Sequence, residues 1–145
     1  MSYATKADMV LRFGAQELIQ ITDRERIGDI DDSVLDRAIA DAEAEINASL
    51  QDRYALPLTT VPPLVTRIAC QLIRYFLYDN GAPENVSVSA TEARAVLKGI
   101  AAGTLRLGLD AFEYRTCLGG RHAHVFGRAV VIQKIPNELT RDARH

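Results

Sequence analysis

Apolar residues recur every three or four positions along two stretches in the middle of the chain, and these stretches predict its longest helices. The first stretch covers residues 31–54. Its apolar positions are Leu35, Ile39, Ala42, Ile46, Leu50 and Tyr54. This spacing is the period of one face of an amphipathic helix. Asp31, Asp32 and Ser33 offer side-chain oxygens to the free amides of a first helical turn, so the start of the helix is marked as well.

The second stretch, residues 63–81, has a broader apolar stripe and is expected to lie at the centre of the core. Its apolar positions are Leu64, Val65, Ile68, Ala69, Leu72, Ile73, Tyr75, Phe76 and Leu77. Pro63 suits a first helical turn, because the amide that proline lacks would have no helical partner there. Asn80 and Gly81 suit the left-handed end of a helix. A short connector that contains prolines joins the two helices.

The N-terminal residues predict two short helices. Thr5 and Asp8 have the spacing of a capping box, with an acidic residue in the place of the usual Glu or Gln. The helix that they begin carries Met9, Val10, Leu11 and Phe13 and is expected to end near Gly14. Residues 15–21 predict a second short turn. We interpret the two pieces as a lid packed on the long helices.

A further helix is predicted after a loop at residues 82–88. Ser89 and Glu92 have the capping-box spacing that would begin it, and Gly103 would end it. Its apolar face carries Ala93, Val96, Leu97, Ile100 and Ala101. For the whole chain, the residues predicted to form the core and fix the fold are Leu50, Tyr54, Pro57, Ile68, Leu72, Ile73, Phe76, Leu97 and Ile100.

The character of the sequence changes after residue 109. Residues 112–117 and 122–126 flank a Gly-Gly pair and predict a β-hairpin, and residues 129–132 form a short strand-like run. This region has too few apolar residues for a core of its own. The fold class expected is therefore mainly α: a small helical bundle with two long central helices (residues 1–109) and a C-terminal arm that is extended and partly β-hairpin (residues 110–145).

Length and charge restrict the function classes. A chain of 145 residues with net charge −2 is most simply one globular unit and is not strongly basic. No apolar run is long enough to cross a membrane, and the N-terminal residues lack the layout of a signal peptide, so we expect a protein made in the cytoplasm with no membrane partner.

Charge is unevenly distributed along the chain. Residues 29–52 have a net charge of −7, whereas residues 112–145 have a net charge of +3. Such asymmetry allows identical copies to attract each other head to tail, although a solvated helix face and a basic tail would give the same pattern. The predicted interface residues are the charged Asp41, Glu45, Arg115, Arg121 and Arg128, together with Phe126, an apolar residue of the arm that a partner could bury.

Candidate chemistry is sparse. His122 and His124 would share one side of a strand, as two ligands of a metal do, but the sole further ligand in reach would be Cys117 across the hairpin. Asp41 and Glu45 lie one helical turn apart. We expect them on a solvent-exposed helix face rather than in a catalytic cleft. No phosphate-binding, dinucleotide-binding, nucleophile-elbow or zinc-finger motif occurs. The residues therefore predict no enzyme, no cofactor and no metal, and a buried free thiol at Cys70.

Several sequence blocks resemble the small head–tail connector proteins of tailed phages. The blocks are Tyr3, residues 45–47 (EIN), residues 53–58 (RYALPL), Pro63 and residues 74–78 (RYFLY). Residues 97–107 (LKGIAAGTLRL) are similar to the branch found in Mu-like phages and prophages. The resemblance covers residues 2–109, and the R-Y-x-L-P-L and L-K-x-I-A-x-G blocks carry most of it.

The resemblance implies a structural protein of the virion, located at the head–tail interface. It implies a helical protomer that forms a ring, commonly of twelve copies, beneath the portal protein. It also implies that the ring bridges the portal to a tail-side neck or terminator protein while DNA passes through without sequence-specific binding. A different class stays open: a cytosolic helical adaptor or regulator that binds a protein or a nucleic acid.

Overall fold

The computed structural model describes residues 2–78 and 81–109 of the chain. Five helices follow one another: α1 (Lys6–Phe13), α2 (Ala15–Thr22), α3 (Asp32–Leu50), α4 (Pro63–Leu77) and α5 (Glu84–Ala102). No strand occurs in these two ranges, so the mainly α class is confirmed. The predicted arm with its hairpin, residues 110–145, lies outside the described residues.

Helices α3, α4 and α5 pack on one another and form the bundle. Asp31 begins α3 as predicted, because its carboxylate accepts hydrogen bonds from the amides of Ser33 (2.9 Å) and Val34 (3.2 Å). Helix α3 ends at Leu50, earlier than predicted. Tyr54 still reaches the core because a turn follows, in which its amide donates to the carbonyl of Leu50 at 2.9 Å.

The core lies between these three helices and holds most of the predicted residues. Those with at most 2% of their surface exposed are Leu50, Tyr54, Ile68, Leu72, Ile73, Leu97 and Ile100. Phe76 is half-buried and packs against the edge of the core. Pro57 is exposed and lies outside the core, and its role in fixing the fold through the connector stays a prediction. The connector after α3 points Pro57 to solvent and buries Leu58 instead.

The start of α5 differs from the prediction. The helix begins at Glu84, directly after Pro83, so residues 84–88 are helical and do not form a loop. Ser89 lies inside the helix, where its hydroxyl donates to the carbonyl of Asn85 at 2.9 Å instead of capping the first turn. The physical reason is burial. Val86, Ala90 and Ala93 continue the buried stripe of α5 towards its N-terminus at helical spacing.

The N-terminal lid, here the name for α1 and α2, forms as predicted, with one correction. The capping box is present, since Thr5 accepts from the amide of Asp8 (3.3 Å) and Asp8 accepts from the amide of Thr5 (2.8 Å). Leu11 does not pack on the long helices: 86% of its surface is exposed. Met9 is buried and Phe13 half-buried on the other side of the helix, because residues four apart share a face and Leu11 lies between them.

Shortening core side chains of α4 tests the central position of that helix. Leu72→Ala or Ile73→Ala should lower the free energy of unfolding by about 2–5 kcal/mol, because each leaves a cavity in a packed interior. Chemical denaturation measures this. Leu11→Ala is the matched control and should change stability by less than about 0.5 kcal/mol, since the side chain is exposed. Equally small changes in the free energy of unfolding at all three positions would contradict the central position of α4 in the core.

Candidate functional site

The two sequence blocks that carry the phage resemblance meet in space at the C-terminal end of α5. Arg53, from the R-Y-x-L-P-L block, donates from Nε to the carbonyl of Ala101 (2.8 Å) and from Nη2 to the carbonyl of Ala102 (3.2 Å). The last carbonyls of a helix have no partner within the helix, and a cation is favourable beside them. Arg53 therefore caps α5 from the connector that follows α3.

Gly103 makes this cap possible. It ends α5 with a φ of 80°, the left-handed region that favours glycine. A Cβ at this position would lie 2.2 Å from Nη2 of Arg53. Only a residue without a side chain lets the guanidinium approach the end of the helix this closely.

Tyr54 extends the contact to the residues after α5. Its buried hydroxyl accepts a hydrogen bond from the amide of Leu107 at 3.3 Å, and the Leu107 side chain is itself buried. The chain segment 103–107 is thus held against the connector. This contact fixes the position of the residues that directly follow α5.

A half-buried ion pair joins α3 to α5. Arg94 donates from Nε to Oε1 of Glu45 (2.7 Å) and from Nη2 to Oε2 (3.1 Å), a bidentate geometry. Its guanidinium also lies over the ring of Tyr75, 4.9 Å from the centroid. The hydrogen bond to Glu45 raises the pKa of Arg94, against the opposing effect of burial. The sequence predicted that Glu45 and Asp41 share one solvent-exposed face of α3. In the structure Glu45 is paired with Arg94, whereas Asp41 is exposed.

A second arginine joins α4 to the lid. Arg74 donates from Nε to Oε1 of Glu17 on α2 at 2.6 Å, and its guanidinium lies 4.7 Å from the centroid of the Phe13 ring. Tyr78 donates to the same Glu17 oxygen at 3.5 Å. The R-Y-F-L-Y block thus fastens α4 to its neighbours with charged and aromatic side chains.

The N-terminal residues before α1 are fastened to α3. The amide of Tyr3 donates to Oε1 of Glu43 at 3.1 Å, and its hydroxyl donates to Oδ1 of Asn47. Burial, and secondarily the charge of Glu43, raise the pKa of Tyr3. The Tyr3 and E-I-N blocks of the resemblance are therefore in contact with each other.

The lid and α5 contact different residues of α3 and α4. On α3, Glu45 points to α5, whereas Glu43 points to the N-terminal residues. On α4, Arg74 points to the lid, whereas Tyr75 lies under Arg94 of α5. The protomer consequently has two different flanks, one formed by the lid and one by α5.

Both flanks expose large apolar side chains that the sequence reasoning missed. In the described part of the chain these are Leu11 (86% exposed), Ile27 (75%), Val88 (50%) and Leu105 (45%). Leu11 and Ile27 belong to the lid and the loop after it, and Val88 and Leu105 to α5 and the turn after it. Helical spacing was the available signal: Leu11 is out of phase with Met9 and Phe13, and Val88 with Val86 and Ala90.

The outward face of α3 has a net negative charge over its N-terminal half, where Arg37 is also exposed. Asp36 and Asp41 are exposed there, next to exposed alanines. The predicted interface residues of the arm, basic Arg115, Arg121 and Arg128 and apolar Phe126, lie outside the described residues, as do His122, His124 and Cys117. Cys70 is fully buried in α4, and burial raises the pKa of its thiol.

Within residues 2–78 and 81–109, no group of three or more His, Cys, Asp or Glu side chains is arranged to hold a metal ion. Over the same ranges no helix combines the length and apolar character that crossing a membrane requires. The arrangement of the described residues is one of caps, ion pairs and packing contacts.

Comparison with known proteins agrees with the sequence blocks. The family described as Bacteriophage Mu, Gp36 matches residues 3–118. The chain belongs to this Mu Gp36 family. It is similar to the Mu-like prophage FluMu protein gp36 of Haemophilus influenzae, with 32% identity over 108 residues that cover 74% of this chain and 77% of the relative. It is also similar to Gene product J of Escherichia phage Mu, with 30% identity over 112 residues that cover 77% of this chain and 79% of the relative.

Membership of the Mu Gp36 family implies a role in the structure or morphogenesis of a phage particle. The phage part of the resemblance is therefore confirmed, together with its Mu-like branch. The residues that carry the resemblance are placed at the contacts between helices, at the cap of α5 and at the joint between α4 and the lid.

The contact between Arg53 and Gly103 can be tested with a double-mutant cycle. Arg53→Ala should lower the free energy of unfolding by about 1–2 kcal/mol through the lost cap. Gly103→Ala should cost about 1 kcal/mol or more through its left-handed backbone and the clash. The double variant should lose less than the sum of the two, because the clashing atoms are gone. Arg67→Ala, at an exposed arginine of α4, is the control; strict additivity would contradict the contact.

The Tyr3 contact predicts a dependence of stability on alkaline pH. Because the folded pKa of Tyr3 is raised, its contribution is fully present below the unfolded pKa of about 10 and is lost as pH rises through the folded pKa. The free energy of unfolding of the native chain should therefore fall more steeply above about pH 10 than that of Tyr3→Phe. Denaturation curves at a series of pH values measure both slopes, and equal slopes would contradict the assignment.

Proposed function

We propose that this member of the Mu Gp36 family is a structural protein of the virion, a head–tail connector that docks beneath the portal protein. In this proposal several copies, twelve in the commonest arrangement, form a ring. The ring bridges the portal to a tail-side neck or terminator protein, and DNA passes through it without sequence-specific binding. The chain has no catalytic role.

The observation that carries the proposal is how the residues of the phage resemblance are used. Arg53 and Arg74 have their guanidiniums engaged with other helices, in a cap and in an ion pair, and Glu45 of the E-I-N block is paired with Arg94 of α5. A catalytic site would instead hold a nucleophile, a base and an orienting group together in a cleft. In this chain these arginine and glutamate side chains fix the geometry of a small helical bundle. This use suits a rigid subunit of an assembly.

The two flanks of the protomer give the ring a physical basis. A closed ring needs heterologous contacts, in which one surface of a copy meets a different surface of the next. The surface of the lid and the surface of α5 are two different surfaces, and each exposes apolar side chains.

The acidic face of α3 has two possible positions in a ring. Asp36 and Asp41 can face the basic residues Arg121 and Arg128 of a neighbouring copy, which would add attraction between copies. Alternatively they line the channel, where repulsion of phosphate keeps DNA from binding to the wall. The two arrangements respond differently to charge reversal in the C-terminal residues.

The mass of the native chain in solution, with negative-stain images, tests the ring directly. Rings would agree with the connector, whereas a stable monomer that binds one cytosolic protein or nucleic acid would favour the adaptor alternative. Arg121→Glu and Arg128→Glu then separate the two positions of the acidic face. If the face binds a neighbour, both variants and raised salt should weaken self-association.

Because each exposed ion pair contributes only about 0–1 kcal/mol, the effect on self-association must come from contacts repeated around the ring. Arg67→Glu, at an exposed arginine of α4, makes the same charge change elsewhere and serves as the control. If Arg121→Glu, Arg128→Glu and raised salt do not weaken self-association, the acidic face of α3 would be assigned to the channel.

A further inference from the structure

One arginine of α4 holds both helices of the lid. Nε of Arg74 donates to Oε1 of Glu17 on α2 at 2.6 Å, and its guanidinium lies 4.7 Å from the ring centroid of Phe13 on α1. The side chains of Arg74 and Glu17 are both half-buried, which strengthens their attraction because water screens the charges less. The name Arg74 clasp is used below for Arg74, Glu17 and Phe13.

The lid otherwise has few contacts with the bundle. Helix α1 packs mainly on α2, whereas α3, α4 and α5 all pack on one another. Met9 is the one buried residue of α1. The ion pair between Lys6 and Asp32 is largely exposed and contributes little. The hydrogen bonds of Tyr3 hold the residues before α1 to α3, but they lie at the N-terminal end of the chain and can be released together with the lid.

The lid covers Cys70 of α4. Cys70 lies one helical turn before Arg74, so the two residues share the face of α4 that contacts the lid. Arg12 of α1 hydrogen-bonds to the thiol, and Asp8 of α1 acts on the thiol through its charge. The Cys70 side chain is fully buried in the closed protomer. A thiol reagent can therefore reach Cys70 only when its cover has moved.

Helix α5 is held by a contact of the same composition but packs far more widely. Arg94 is paired with Glu45 and lies over the ring of Tyr75, so it repeats the chemistry of the Arg74 clasp. In addition, α5 buries side chains along its length, from Val86 to Ile100. Loss of the Arg94 contact should thus weaken the whole bundle, whereas loss of the Arg74 clasp should act first on the lid.

We infer that the lid, together with the residues before it, opens as one unit while α3, α4 and α5 stay folded, and that the Arg74 clasp determines how often it opens. Segments with few buried contacts open at a lower free energy than the whole domain. Opening uncovers the face of α4 that carries Cys70. The lid is therefore a conformational device of the single protomer, and the inference does not depend on the proposed ring.

The test measures how fast a thiol reagent labels Cys70 in the native full-length chain. Peptide mass spectrometry follows Cys70 separately from Cys117. Arg74→Ala should raise the labelling rate of Cys70 at least about tenfold, because a hydrogen bond between charged groups is lost together with the ring contact. Glu17→Gln keeps the ring contact and should raise the rate by a smaller factor. It replaces Arg74→Ala if that variant does not fold.

Arg94→Ala is the matched control, because it removes an ion pair and a ring contact of the same kind from α5. It should lower the midpoint of chemical denaturation, yet it should change Cys70 labelling in native buffer by less than about threefold. If Cys70 reacts only when the whole protomer unfolds, Arg74→Ala and Arg94→Ala should each raise the rate in proportion to the stability that they lose. That result would overturn the inference.

Amide hydrogen exchange provides a second readout that does not depend on the thiol. In Arg74→Ala the amides of α1 and α2 should exchange at least about tenfold faster than in the native chain, while those of α4 stay protected. Faster labelling of Cys70 with unchanged exchange in α1 and α2 would mean that the substitution merely leaves a hole beside the thiol. Equal protection of α1, α2 and α4 in the native chain would show that the lid does not open separately. Either result would overturn the inference.

Discussion

The guanidinium of Arg53 at the end of α5 is the contact on which the arrangement of the bundle depends. It joins the connector after α3 to the last turn of the third helix of the bundle, across almost fifty residues of sequence. The contact needs Gly103, because any side chain there would occupy the space of the guanidinium. Tyr54, the next residue along, then holds Leu107. Two adjacent residues thus determine how α5 ends and where the segment after it lies on the bundle.

This contact also explains why the R-Y-x-L-P-L and L-K-x-I-A-x-G blocks occur together. The arginine of the first block has its acceptors in the second, and the glycine of the second block makes the approach possible. Each block alone is an ordinary turn or helix end. Together they specify how α3 and α5 are set relative to each other, which a building block of an assembly must reproduce in every copy.

Much of the fold could be predicted from the sequence because burial and capping leave periodic and local signals. The stripe through Ile68 and Leu72 and the cap at Asp31 are of this kind, and both predictions were correct. The errors arose where a local sequence signal, such as a capping residue, competed with burial of side chains in the core. Ser89 and Glu92 have good capping spacing, but burial of Val86 extends the helix past them. Pro57 marks the connector, yet its neighbour Leu58 enters the core.

The candidate surfaces were harder to predict, because an apolar residue is normally evidence for the core. Leu11 and Val88 would have been recognised only by noting that they are out of phase with the buried stripe. The partner of Glu45 was not predictable at all: Arg94 lies on another helix, and nothing in its local sequence indicates the pairing. Contacts between distant residues have no local pattern.

The internal use of acidic side chains has a consequence for the electrostatic energy of any large assembly of this protein. Residues 29–52 have a net charge of −7, but within them Asp32 is paired with Lys6 and Glu45 with Arg94. Repulsion between identical copies grows with the square of the charge that each presents to its neighbours. Each carboxylate that is neutralised inside the protomer lowers the net charge that one copy presents. Because the repulsive energy depends on the square of that charge, the energy falls by a larger fraction than the charge does. At physiological ionic strength the charges that remain on α3 interact over only about 8 Å, so a packed multimer of this chain can tolerate them.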